Sequence, residues 1–135
     1  MRTLVFTICT LLAAAATRAQ ESFTLTVNVP NAKNGGTIMA ALHTKQTFMR
    51  SDGVQQAHQA VKDGVTTITF KDVPASEYAV LLFQDMNGDK EMNFHDNGMP
   101  AEPYGSSNNV MSMGPPMWQD SKFTLSGDTD IDIRL

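Results

Sequence analysis

From Phe23 to Val29 the chain alternates apolar and polar residues one by one, Phe-Thr-Leu-Thr-Val-Asn-Val. A period of two puts every second side chain on one face, so the segment predicts a half-buried β-strand rather than an amphipathic helix. The pattern recurs along the chain. Thr37 to His43 sets Ile38, Ala40 and Leu42 on one face, and Val65 to Phe70 is rich in β-branched residues. Lys122-Phe123-Thr124-Leu125 and Ile131-Asp132-Ile133-Arg134-Leu135 alternate on either side of Ser126-Gly127-Asp128. Tyr78 to Phe83 is apolar almost throughout, as expected of a central strand covered on both faces. Asp63-Gly64 reads as a two-residue type I′ turn, which needs positive φ at both central positions. It would join Gln56–Lys62 to Val65–Lys71 as a hairpin ending at Val73-Pro74. Gln56–Lys62, rich in Ala and Gln, reads as a strand or as a short helix. Gln46 to Val54 is irregular, with Phe48 and Met49 placed to tuck back onto the core. About seven short strands and no long helix predict an all-β, largely antiparallel sandwich of Greek-key type. No repeat or linker divides it, so one domain is expected over residues 22–135.

The first nineteen residues follow a different logic. Arg2 supplies a positive charge, Leu4 to Ala16 is an almost unbroken apolar run, and Thr17-Arg18-Ala19 ends on a small residue before polar Gln20-Glu21-Ser22. This is the pattern of a secretory signal peptide over residues 1–19, with cleavage near Ala19. The run is shorter than the ~20 apolar residues of a membrane helix. Ile8 precedes Cys9 where a lipoprotein signal wants a small residue, so lipid attachment is not expected. The product is expected to be exported, periplasmic or extracellular, with no membrane span in the mature chain.

Charge narrows the partners. The chain carries 10 Lys+Arg against 14 Asp+Glu, a net −4, and loss of Arg2 and Arg18 with the leader makes it more negative. A nucleic-acid partner needs a basic face, so none is expected. The single cysteine, Cys9, goes with the leader. The mature chain therefore has no disulfide and no thiolate metal site, and is held by its core, alone or with a bound ion.

Between Phe83 and Lys122 no strand or helix is evident. Residues 84–121 hold four of the six prolines, with Gly88, Gly98, Gly105 and Gly114. Loops beyond ~15 residues are uncommon unless functional or disordered. Disorder is the plainer reading, but Phe94, Met99, Tyr104, Met111 and Trp118 are poor material for a disordered segment and argue for one long ordered loop.

That loop opens Asp85-Met86-Asn87-Gly88-Asp89-Lys90-Glu91-Met92-Asn93-Phe94-His95-Asp96. Alternate oxygen-bearing side chains let a tightly turning chain point several oxygens at one centre. Ca²⁺ takes six to eight oxygens at ~2.3–2.6 Å. The first half resembles the calcium loops of EF-hand and dockerin modules. Asp85, Asn87 and Asp89 are the expected ligands, with Glu91, Asn93 or Asp96 completing the shell. Two features depart from that resemblance: Lys90 stands where those loops place Gly, and Asp96 where they place Glu. A metal-free turn is the alternative, because Asn and Asp also form turns through their own hydrogen bonds. The crowding of Asp85, Asp89, Glu91, Asp96 and Glu102, with only Lys90 opposite, favours a cation.

At this point the chain becomes similar to a known family. Phe70-Lys71-Asp72-Val73-Pro74, Glu77-Tyr78-Ala79-Val80 and Phe83-Gln84-Asp85-Met86-Asn87-Gly88-Asp89 resemble the core signature of a bacterial domain of unknown function, family 2141. The resemblance continues through Asn97-Gly98-Met99-Pro100, Glu102-Pro103-Tyr104-Gly105-Ser106-Ser107-Asn108-Asn109 and Gly114-Pro115-Pro116 with Lys122-Phe123. Ser76 and Ser106 depart from it, where the family tends to carry Gly and Phe. The resemblance implies export and a prealbumin-like or carboxypeptidase-regulatory-like sandwich. It supplies no catalytic residues.

Two classes of function then compete. A non-catalytic binding or structural module would present its loops to a protein, glycan or envelope component, with Tyr104, Met111, Met113, Met117 and Trp118 as adaptable apolar contact. Alternatively, those side chains fold down as a lid on the sandwich. A small secreted hydrolase would use the 95–107 loop, with Ser106 or Ser107 as nucleophile beside His95 and Asp96. The chain's end, Asp132-Ile133-Arg134-Leu135, lacks the Tyr-Arg-Gly-Ser terminus of the prealbumin-like hydroxyisourate hydrolases.

Overall fold

A computed structural model describes residues 19–111 and 113–135. The expected leader, apart from Ala19, lies outside the described residues. Eight strands build two packed sheets: β1 Ser22–Val29, β2 Thr37–His43, β3 Gln55–Ala60, β4 Thr66–Pro74, β5 Ser76–Asp85, β6 Tyr104–Ser106, β7 Phe123–Leu125 and β8 Thr129–Asp132. The smaller sheet has the order β4-β1-β8. The larger has the order β3-β2-β5-β6, with β7 also paired to β5. A short 3-10 turn, Ser107–Asn109, follows β6, and a one-turn helix α1, Trp118–Ser121, precedes β7.

The alternation legible in the sequence becomes the core between the sheets. Leu25, Val27 and Val29 of β1 and Ile38, Ala40 and Leu42 of β2 are buried, with Ile68, Phe70, Val80, Leu82, Leu125 and Ile133. Burying each large aliphatic or aromatic side chain contributes about 1.5–3 kcal/mol, the dominant stabilising contribution in a chain without disulfides. Phe70 and Val73 are both buried although an odd spacing should send them to opposite faces. A β-bulge resolves this. Leu25 pairs Phe70 and Phe23 pairs Val73, so Lys71 and Asp72 together oppose Thr24, and Asp72 takes φ 55°.

Four expectations are corrected. Asp63-Gly64 is not a hairpin turn. β3 pairs β2 and β4 pairs β1, so the turn carries the chain from one sheet to the other. Of its two residues only Gly64 has positive φ. Lys62 N–H donates to Thr66 Oγ1 and Val61 N–H to the Gly36 carbonyl, which satisfies the groups that a hairpin would pair. The smaller sheet is mixed, because β8 runs parallel to β1. The whole intervening domain serves as the crossover that a parallel pair requires. Residues 84–121 do contain regular elements, β6 and α1, each too short to carry a readable period. Finally, Phe48 is buried but Met49, at φ 57°, is exposed.

β5 is the strand that positions the loop. One edge pairs β2 from Thr37↔Asp85 to His43↔Ala79. The other is shared: β7 takes Ser76 to Tyr78, and β6 takes Leu81 to Phe83. In the gap between them Val80 N–H donates 3.0 Å to Ser107 Oγ.

Candidate functional site

The acidic loop begins where β5 ends, and its base is fixed before it turns. Gln84 is fully buried, accepts from Lys33 N–H at 2.9 Å and donates to the carbonyls of Lys33 and Gly35 at 2.6 and 2.7 Å. Its own N–H donates 2.8 Å to the Pro103 carbonyl. Gly36 lies so close to the Asp85 carbonyl that a Cβ there would collide with it. Thus the β1–β2 turn, the end of β5 and the return of the loop at Pro103 meet beneath Asp85.

From this base the chain winds around carboxylates. Asp85 accepts from Gly88 N–H at 2.8 Å and from Lys90 N–H at 2.9 Å, one on each oxygen. Glu102 accepts from Met86 N–H at 3.0 Å and Asn93 N–H at 3.3 Å. Asp89 accepts from Glu91 N–H at 2.9 Å, and from the amides of Asn93 at 2.7 Å and Asn87 at 3.1 Å. Those bonds, the Glu91 N–H first and the Asn93 amide next, hold the Asp89 carboxyl below the usual carboxylate range. Beyond Asn93 the loop doubles back as a narrow backbone ladder, with Ala101 N–H on the Asn93 carbonyl and His95 N–H on the Met99 carbonyl, both 2.8 Å.

Carboxylate oxygens of Asp85, Asp89 and Glu102 lie within 4.8 Å of one another. Asp85 and Glu102 are nearly sequestered, at 3% and 6% exposure, while Asp89 is open to solvent. Among the described residues no lysine or arginine pairs with any of the three. Of the residues expected as ligands, Asp85 and Asp89 converge, and Asn87 and Asn93 flank them through Asp89. Glu91 and Asp96 stand exposed outside the cluster. Glu102 comes in from the far end of the loop, beyond any twelve-residue motif. Its only sequence signal was its part in the acidic crowding.

In the 95–107 loop the serines and the histidine stand in different surroundings. Ser107 is buried, its hydroxyl donating to the Ser121 carbonyl while accepting from Val80 N–H. Neither Ser106 nor Ser107 has a histidine among its hydrogen-bond partners, and His95 is exposed. The lid reading holds for one residue only. Trp118 lies edge-on to Phe48, ring centroids 5.7 Å apart, whereas Tyr104, Met111, Met113 and Met117 are exposed.

Among the described residues no helix is long and apolar enough to cross a membrane. Neither the curated proteins nor the solved structures yield a match to this chain. A family model described as an uncharacterized protein conserved in bacteria, DUF2141, matches residues 26–133, from the first strand to the last buried isoleucine. The chain belongs to that family.

Proposed function

We propose that the protein is exported by its 1–19 leader and works in the periplasm or outside the cell as a non-catalytic binding or structural module, its acidic loop stabilised by Ca²⁺. The observation that carries this reading is the convergence of Asp85, Asp89 and Glu102, two of them nearly buried, without a basic partner among the described residues. Each carboxylate keeps lone pairs beyond those its backbone hydrogen bonds use. Asn87 and Asn93 now turn their amide nitrogens toward Asp89. Asn87 Oδ1 accepts from Asp89 N–H and Asn93 Oδ1 from the Asn87 amide, so in this geometry the three carboxylates supply the protein oxygens and water completes the shell. The cation offsets the mutual repulsion of the three acids. Extracellular calcium modules bind at about 10⁻⁴–10⁻³ M, which suits a partly open site. The partner side of the module is an envelope protein or glycan, met by the loop face.

Titration of the purified protein with CaCl₂, followed by calorimetry and thermal melting, tests this. Saturating Ca²⁺ is expected to raise Tm, by the ~2.7 kcal/mol that ligand at 100 times Kd contributes. Asp89→Asn, an exposed position, is expected to fold and to lose that response. No heat and no change in Tm in the unaltered protein would remove calcium from the reading.

A further inference from the structure

Six of the nine methionines lie between residues 84 and 121, and three of them crowd into the loop Val110-Met111-Ser112-Met113-Gly114-Pro115-Pro116-Met117. Met111 and Met113 are as exposed as free residues, at 99% and 106%, and Met117 is 59% exposed. Among the described residues, none of the three belongs to the core. The loop's two ends are nonetheless tied together. Asn108 donates its side-chain amide to the carbonyls of Asp120 and Lys122, at 3.0 and 2.9 Å. Asn109 is fixed to the C-terminal tail, and Trp118 is fixed against Phe48. Pro115-Pro116 stiffens the short path between. Three thioethers at spacing i, i+2, i+6 thus stand on one exposed loop whose two ends are held together.

A protein-docking patch of this size would be expected to offer an aromatic or Arg anchor. Here the neighbouring Trp118 turns inward, and residues 110–117 include no aromatic and no charged side chain. What the loop offers is sulfur. Thioethers are soft donors that select copper(I) over hard oxygen-seeking cations. With Cys9 in the leader, they are the only soft donors of the mature chain. We propose that Met111, Met113 and Met117 form a three-sulfur site for a soft monovalent cation, copper(I). The site is separate from the acidic cluster and does not depend on the calcium reading, since Ca²⁺ ignores sulfur and copper(I) gains little from carboxylate oxygen.

The test is competition for copper(I), kept reduced with ascorbate under nitrogen, between the protein and the chromogenic chelator bicinchoninate. Silver(I) serves as a redox-inert probe for methionine methyl NMR. The protein is expected to withdraw one equivalent of copper from the chelator, with silver-induced methyl shifts confined to Met111, Met113 and Met117. The variant Met111→Leu/Met113→Leu/Met117→Leu keeps side-chain size at exposed positions. It is expected to withdraw none while melting at the same temperature and answering Ca²⁺ as before. No copper withdrawn by the unaltered protein, equal withdrawal by the variant, or shifts centred on Met86, Met92 and Met99 would each overturn the proposal. The calcium response, read on the same samples, keeps failure here distinct from failure of the acidic site.

Discussion

Lys90 sits at the tightest point of the acidic loop with φ 65°, the left-handed conformation that a twelve-residue calcium loop reserves for Gly. The sequence argued against a sharp turn there, because a side chain in that region costs roughly 1–2 kcal/mol. The turn forms regardless, because Lys90 N–H reaches Asp85 and the rest of the winding is held by Gly88, Glu91 and Asn93. Lys90→Gly relieves the strain but adds freedom to the unfolded chain, so metal-free stability is expected to change by less than about 0.5–1 kcal/mol. Calcium affinity is expected to rise about four- to sixteen-fold, since a unit charge roughly 5–10 Å from a divalent cation in water is worth ~0.8–1.7 kcal/mol. Calorimetric titration of Lys90→Gly beside Lys90→Gln separates the two causes, for Gln removes the charge and keeps the strained backbone. Weaker calcium binding in both would mean that Lys90 supports the site rather than opposing it. The nearness of Asp85 and Asp89 was legible in the sequence because their spacing is local. Glu102 was not, because a contact across the base of a loop leaves no periodic trace.

At the scale of elements, the end of β2 carries a second, smaller core on the outer face of the larger sheet. His43 is buried there, its Nδ1 3.2 Å from the Thr47 carbonyl and its ring edge-on to Phe48 at 6.0 Å, with Trp118 of α1 beyond. The alternation of β2 placed His43 opposite Leu42, but nothing local said that a residue 75 positions on, Trp118, would pack on the Phe48 ring beside it. Burial pushes the His43 pKa below its ordinary value, outweighing the Thr47 hydrogen bond and the charge of Asp52. The unfolded chain then takes up the proton first. Stability from the neutral ring is complete above about pH 6.5 and falls as pH drops below it, levelling once the folded ring also protonates. Asp89, with its pKa lowered, acts in a separate acid window: its contribution is complete above about pH 3.9 and is lost further down. Urea unfolding between pH 8 and pH 5 is expected to show a decline that flattens in His43→Gln. An unchanged slope in that variant would place the neutral-range dependence elsewhere.

At the scale of the whole molecule, residues 133–135 link the smaller sheet to the segment that follows β6 in the larger one. Ile133 fills the core, and its N–H donates 2.9 Å to the Asn28 carbonyl of β1. Asn31 bonds both polar groups of the Leu135 backbone, at 2.9 and 3.0 Å. From the other sheet's side, Asn109, itself at φ 51°, donates to the Asp132 carbonyl and accepts from Arg134 N–H, both at 2.7 Å. Gly105 of β6 lies against the Arg134 carbonyl with no room for a Cβ. The alternation of Ile131 to Leu135 predicted a strand there, but the strand is Thr129–Asp132 and residues 133–135 run on beyond it; its parallel partner and the asparagine clasp were not readable, because both depend on chain segments that approach only after the sandwich forms. Ile133→Ala is expected to cost about 2–5 kcal/mol as a lost methyl cluster and cavity. Asn109→Ala is expected to cost about 1–3 kcal/mol for the hydrogen bonds it strands. Because both act on one tail, the double variant is expected to lose less than the sum: once Ile133 no longer seats the tail, the clasp has little left to hold. Urea midpoints of the four proteins in that cycle measure the shortfall. Strict additivity would show that the side-chain clasp and the buried isoleucine hold the molecule shut independently.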